Sequence, residues 1–246
     1  MFARKKTLYL HIGTHKTGTT SFQASLRANR GRLAKRGYLP VGIPARKSGI
    51  VLKRKTYNVN RIAYAFLRPG IASIGRVASG LYPKPERLAR ARAEYLEMLR
   101  GLRARNLIVS AEAFTFLRTP EEREELQRFL AALGREVKIV LVWREEAAWR
   151  ASWENQLKKK PKVWKKNRAL PDEQRANGEW YFDRQAILDF WTGLGEITEV
   201  DYDAALASEG NVIPAIYRAM GIDPAGLKVE FVTNTRVPLE DDDEDN

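Results

Sequence analysis

Cysteine is absent from this chain of 246 residues, and histidine occurs only twice, at His11 and His15. The first absence excludes disulfides and thiolate metal centres, and nothing in the composition demands an oxidising compartment. The second leaves too little imidazole for a histidine-built metal site. Long apolar runs are also missing. The one that follows the basic start Met1–Lys6 is about one strand long, too short for a membrane span or the core of a secretion signal. The expectation is a soluble, cytoplasmic protein. No internal repeat and no clear domain boundary interrupts the chain, and its length suits one large α/β domain over residues 1–239.

Charge is abundant and mostly of one sign. Lysine and arginine number 43 against 30 acids, a net charge of +13. Six of those acids lie in Glu240–Asp245, so residues 1–239 carry 24 acids and a surplus of 19 positive charges. Such a body favours anionic partners: nucleotides, nucleic acid, acidic glycans or a membrane surface. The acidic segment 240–246 reads as a disordered tail.

Strand and helix signals alternate. Strands are expected at Thr7–Ile12, Tyr38–Val41, Asn106–Ser110, Val137–Trp143 and Ile197–Val200. Val137–Trp143 is apolar throughout except Lys138, the pattern of a central strand covered on both faces. Helices are expected at Thr19–Arg36, Tyr57–Leu67, Pro85–Ala104, Pro120–Leu133, Glu145–Leu157, Trp180–Leu194 and Val212–Met220. Pro120–Leu133 has the clearest start, with Thr119 as N-cap, proline at the first position and acids in the first turn. Gly42–Lys55 reads as a mobile loop, and Pro69–Pro85 and Lys158–Gly178 as connections. Strands alternating with helices imply right-handed crossovers onto a mostly parallel sheet with helices on both faces, a three-layer α/β fold.

The most informative segment is Leu8–Ser21: an apolar strand, a glycine-bounded turn, then hydroxyl residues opening a helix. That order presents backbone N–H groups and a helix N-terminus to an anion, usually a phosphate. Gly13 and Gly18 keep the glycine spacing of a nucleoside-triphosphatase loop. That loop has lysine directly after its second glycine, whereas here Thr19 stands at that position and the cation is Lys16. The segment reads as a phosphate cradle whose positive charge has been moved. Ligands of a parallel sheet gather at the carboxyl ends of the strands, and Lys16, Glu112 and Arg144 all fall there.

These residues resemble the sulfotransferases that use 3′-phosphoadenosine 5′-phosphosulfate (PAPS). The segment 14–21 is similar to their 5′-phosphosulfate loop, Arg144 with Ser152 to their 3′-phosphate pair, and 108–112 to the strand end that carries the catalytic glutamate in the carbohydrate-type branch. The resemblance implies a P-loop-type fold and PAPS as donor, with Lys16, Thr17, Gly18, Thr19, Thr20, Ser21, Arg144 and Ser152 holding the nucleotide. It further implies Lys16 stabilising the leaving group, Glu112 as general base, no obligatory metal, and a carbohydrate or small-metabolite hydroxyl as acceptor. Residues after Gly226 do not match the family's usual completion of the 3′-phosphate site, where Arg236 is the available cation.

Other readings stand beside these. Glu112 could be a carboxylate that stabilises the turn at Ala113, or with Asp201 a magnesium-binding acid of an ATP-dependent kinase. His15 could act on the acceptor or serve only as a loop contact. His11, inside the strand, reads as a core residue. Trp149 and Trp153, four apart, read as a packed stripe, and Lys158–Arg168 as a solvated loop or an acceptor entrance. A basic nucleic-acid module is the remaining class, without a helix-turn-helix, zinc-finger or RNA-platform signature to support it.

Overall fold

Every residue of β1 (Thr7–Gly13) is buried, yet its two sides face different cores. Leu8, Leu10 and Ile12 enter one apolar cluster and Tyr9 the other, as the alternation of a strand requires. The same division continues in its neighbours: Leu107 and Val109 lie on the first side and Ile108 on the second, while Ile139 and Leu141 oppose Val140 and Val142. Burial on both faces is the condition of a parallel sheet covered by helices.

The computed structural model describes residues 5–47, 50–71, 85–158, 165, 168–175 and 177–231. Its five-stranded sheet runs β2 (Tyr38–Pro40), β5 (Asn106–Ser110), β1, β6 (Glu136–Trp143), β7 (Glu196–Asp201), with every neighbouring pair parallel. One face is covered by α1 (Thr19–Ala28) and α2 (Arg30–Lys35), together with α9 (Tyr202–Glu209) and α10 (Ile213–Ala219). The other is covered by α3 (Asn60–Tyr64), α4 (Pro85–Arg100), α5 (Pro120–Leu133), α6 (Glu146–Lys158), α7 (Glu179–Phe182) and α8 (Arg184–Trp191). The three-layer α/β architecture is therefore present, with β1 at its centre and β6 beside it. Among the described residues no helix is long and apolar enough to cross a membrane.

Four elements differ from the sequence reading, each for a local reason. Gly42–Lys55 is a hairpin, β3 (Ile43–Lys47) paired antiparallel with β4 (Ile50–Thr56), rather than a mobile loop. Its register shifts between Pro44 and Arg46, where proline cannot donate to the ladder. The helix expected over Thr19–Arg36 is broken at Asn29. The Asn29 side chain donates to the Ser25 and Lys228 carbonyls at 3.0 and 2.8 Å and accepts the Lys228 N–H at 2.8 Å. Asp183 divides Trp180–Leu194 by accepting the Ala186 N–H at 2.9 Å, which makes it the N-cap of α8. Helix α9 lacks an apolar stripe to announce it, and Asp201 is its N-cap, accepting from the Ala204 N–H at 2.9 Å. The acid read as a possible magnesium ligand thus has one carboxylate oxygen engaged in capping α9. Trp164, Arg236 and the acidic tail lie outside the described residues, as do most of 69–85 and 158–168.

Helix α5 has the expected start in full. Thr119 Oγ1 accepts the Glu122 N–H at 3.3 Å and Glu122 Oε2 accepts the Thr119 N–H at 3.0 Å, a reciprocal capping box. Glu122 is buried and also takes the backbone N–H groups of Arg68 and Arg118, both at 2.6 Å. Thr119→Ala should cost about 1 kcal/mol of stability. Glu122→Ala, which leaves several buried N–H groups without an acceptor, should cost about 3 kcal/mol. Urea midpoints measure both, and equal costs would contradict the bridging role of Glu122.

Candidate active site

The loop between β1 and α1 is fixed from beneath. Thr14 donates its N–H to the Val142 carbonyl at 3.1 Å and its hydroxyl to the same oxygen at 3.3 Å, tying the loop to β6. The Thr17 hydroxyl donates to the Thr14 carbonyl at 2.6 Å and so closes the turn. Both glycines are required by space. A Cβ on Gly13 would stand 2.7 Å from Thr19 Oγ1, and one on Gly18, at φ +78°, would stand 2.7 Å from Val212 Cγ1. Lys16 is the only non-glycine among the described residues with positive φ, at 74°. A left-handed conformation costs a side-chain-bearing residue about 1–3 kcal/mol and persists only where its surroundings impose it.

This turn leaves a receptive helix end. Gly18, the N-cap of α1, has no side chain with which to cap the first N–H groups. Thr19 Oγ1 is buried without a hydrogen-bond partner among the described residues. Thr20 is exposed and Ser21 half-buried at the same helix start. An unpaired hydroxyl beside uncapped N–H groups and a positive dipole end suits an anionic oxygen.

Strands β5 and β6 flank β1 and deliver the other two charged residues. The Ala111 N–H donates to the His11 carbonyl at 3.1 Å, and Glu112 follows as the first residue of a 3₁₀ turn, Glu112–Phe116. The N–H of Ala113 is accepted by Asn60 Oδ1 at 3.0 Å, so Asn60 and not the Glu112 side chain caps this turn. Asn60 Nδ2 also donates to Glu112 Oε1 at 3.3 Å. Burial pushes the Glu112 carboxyl above its ordinary range, opposed by the Asn60 hydrogen bond and the Lys16 charge.

Arg144 follows β6 and lies against the loop from the opposite side. Its Nη1 donates to the Lys16 carbonyl at 3.5 Å, its Nε is 3.7 Å from Asp203, and its guanidinium sits over the Tyr202 ring at 5.2 Å. The buried Nε has no hydrogen-bond partner among the described residues. Lys16, Glu112 and Arg144 thus converge as expected. Ser152 is half-buried in the middle of α6 and shares no hydrogen bond with Arg144 among the described residues.

Both histidines are buried neutral. His11 bonds Ser110 Oγ through Nδ1 at 2.9 Å and packs on Phe22, which confirms it as a core residue. Gln23 Nε2 donates to the same hydroxyl at 3.2 Å and joins α1 to β5 beneath the loop. His15 Nδ1 is hydrogen-bonded to the Tyr181 hydroxyl, and its Nε2 faces Glu112 Oε1 at 4.0 Å. Its ring packs on Trp153 at 4.0 Å, so that tryptophan belongs to the site as well as to the core. Sequence reasoning missed Asn60 and Tyr181, whose partners lie 52 and 166 residues away. No local spacing could have shown those contacts.

No known family model matches the chain, and no curated protein is similar to it in sequence. Among solved structures it is similar to a sulfotransferase from Alicyclobacillus acidocaldarius, with 13% identity, 95% of this chain and 87% of that one covered, and a TM-score of 0.48. A gluconokinase from Sinorhizobium meliloti 1021 is similar with 14% identity, coverage of 89% and 94%, and a TM-score of 0.40. At that distance neither likeness bears on the chemistry of this chain. Among the described residues no group of three acids or histidines is placed to hold a metal ion.

Two outcomes follow from this geometry. Burial lowers the pKa of both His11 and His15 to about 3, so the unfolded chain takes up protons first as pH falls. Their contribution to stability is full above about pH 6.5 and is lost progressively down to about pH 3. Glu112, shifted the other way, offsets part of that loss at the acid end. Urea midpoints across this window should fall with acidification, and a flat profile would contradict neutral burial. Lys16→Gly should stabilise the fold by about 1 kcal/mol by relieving the left-handed backbone, read as a raised Tm.

Proposed function

We propose that this protein transfers a sulfuryl group from PAPS to a hydroxyl of a carbohydrate or small-metabolite acceptor. One observation carries the reading: a lysine held ahead of the second loop glycine, electrostatically coupled to a half-buried carboxylate on the neighbouring strand end. Thr19 stands where a triphosphatase loop has its lysine, which disfavours the alternative, an ATP-dependent kinase. Asp201, the other acid that alternative would use, is engaged as a helix cap.

The residues present fit the donor. It carries anions at both ends of a nucleoside and supplies sulfur bonded to a good leaving group, adenosine 3′,5′-bisphosphate. The uncapped N–H groups of α1, the unpartnered Thr19 hydroxyl, and Thr20 and Ser21 would hold the 5′ end. The Arg144 guanidinium, a planar fork whose buried Nε lacks a hydrogen-bond partner among the described residues, would hold the 3′-phosphate from the far side of the loop, with Ser152 as its partner. Asp203 shares that guanidinium and tempers its charge.

Glu112 accepts the acceptor hydroxyl's proton as that oxygen bonds to sulfur and the bridging S–O bond breaks. Lys16 neutralises the oxygen released with the nucleotide. Burial raises the Glu112 carboxyl and so makes it a stronger base, while the Asn60 hydrogen bond and the Lys16 charge oppose that rise. The basic surface favours an acidic acceptor, and we assign no specific nucleic acid or membrane partner. His15 belongs to this site through its neighbour Glu112.

Turnover with ³⁵S-labelled PAPS across hydroxylated glycans and metabolites tests the reading. Lys16→Ala should lower kcat by about 10²–10³, the cost of losing a preorganised charge donor. Glu112→Gln should lower it by about 10²–10⁴, and Arg144→Ala should act mainly on donor KM. Near-normal transfer by Lys16→Ala would overturn the proposal.

A further inference from the structure

Beneath Glu112, His15 and Tyr181 form a connected pair that the reaction as described does not require. The Tyr181 hydroxyl accepts the His15 backbone N–H at 3.3 Å and is hydrogen-bonded to His15 Nδ1. Phe116, Trp149 and Trp153 enclose the tyrosine ring. Tyr181 is completely buried and His15 nearly so, and α7 is only one turn long, so this contact is built by packing and not by a long element. The imidazole is left with one nitrogen, Nε2, facing the Glu112 carboxylate at 4.0 Å.

A neutral imidazole carries one proton, and the partner of one nitrogen decides which tautomer forms. A carboxylate opposite Nε2 favours the Nε2–H form, which requires Nδ1 to accept. The Tyr181 hydroxyl, hydrogen-bonded to Nδ1, is placed to supply that proton. Its competing neighbour is the Thr115 hydroxyl, which donates its own proton to the Glu112 carbonyl at 2.7 Å. We propose that Tyr181 is a positioning residue that holds His15 as the Nε2–H tautomer, so that His15 donates toward Glu112 and keeps the base ionised and aimed. This rests on the reading of Glu112 as the base, and it adds a residue that acts through two others.

Every charged or titratable group facing the assembly bears on its pH behaviour. Lys16 acts on both His15 and Glu112 from the loop, and Asn60 bonds Glu112 from α3. Arg118 approaches Tyr181 from the end of the 3₁₀ turn, its Nη2 donating to the Tyr181 carbonyl at 3.5 Å, with Arg68, Glu122 and Asp183 around it. Tyr181→Phe leaves these charged groups in place but removes the acceptor of the His15 backbone N–H together with the Nδ1 partner, so the tautomer is read directly in the spectrum and not from activity alone.

The presence of only two histidines makes the test direct. Long-range ¹H–¹⁵N spectra of histidine-labelled protein show two imidazoles, with His15→Gln providing the assignment. Wild-type His15 should be the Nε2–H tautomer, and Tyr181→Phe should convert it to Nδ1–H or to a mixture. The same variant should lower kcat roughly tenfold or more, with donor KM within about twofold, and move the acid limb of kcat/KM to higher pH. If Tyr181→Phe fails to fold, Glu112→Gln, which removes the carboxylate, should relax the tautomer preference in the spectrum. A wild-type Nδ1–H tautomer, or a Tyr181→Phe enzyme with unchanged kcat and pH profile, overturns the inference. Absence of sulfuryl transfer by the wild type would instead defeat the functional reading, while the spectrum still reported on the tautomer.

Discussion

The two hydrogen bonds from Thr14 to the Val142 carbonyl hold the end of β1 against the end of β6. From that point the chain must turn within a few residues to enter α1. The turn fits because Gly13 and Gly18 have no side chains and because Lys16 adopts a left-handed backbone. The Lys16 carbonyl thereby faces Arg144, and its charge reaches Glu112. Displacing this loop would separate all three segments of the site. The strain at Lys16, about 1–3 kcal/mol, is small beside the apolar burial of the sheet it joins.

Burial has opposite consequences for the ionisable groups around the loop. It keeps both histidines neutral and raises the Glu112 carboxyl. A neutral imidazole can support a carboxylate only by pointing an N–H at it, which makes the partner of the other nitrogen important. The hydroxyl of Tyr181 occupies that place. The aromatic residues packed around it, Phe116, Trp149 and Trp153, exclude water from the pair and so make its hydrogen bonds matter more.

Much of this architecture was legible in the sequence because its signals are local. The apolar alternation of β1, the run of β6 and the threonine–proline start of α5 each carry their information within a few residues. The glycine spacing around Lys16 located the loop in the same way. The hairpin over residues 43–56 was hidden by proline, glycine and a density of cations that resembles a loop. The break at Asn29 was hidden because its cause, the Lys228 backbone, lies 199 residues away. Asn60 and Tyr181 were invisible for the same reason: asparagine and tyrosine have no distinctive spacing until the sheet brings their partners to them. Thr17 shows what motif spacing cannot: its hydroxyl is turned inward onto the Thr14 carbonyl, a contact that spacing alone does not reveal.

As proposed, the displaced cation of this loop would serve a sulfuryl donor and not a magnesium-bound triphosphate. Calorimetric titration of the full chain with adenosine 3′,5′-bisphosphate and with ATP, each with and without magnesium, tests it most directly. The account predicts micromolar binding of the bisphosphate that magnesium does not change and that Arg144→Ala weakens. Tight ATP binding that depends on magnesium, with no affinity for the bisphosphate, would contradict it.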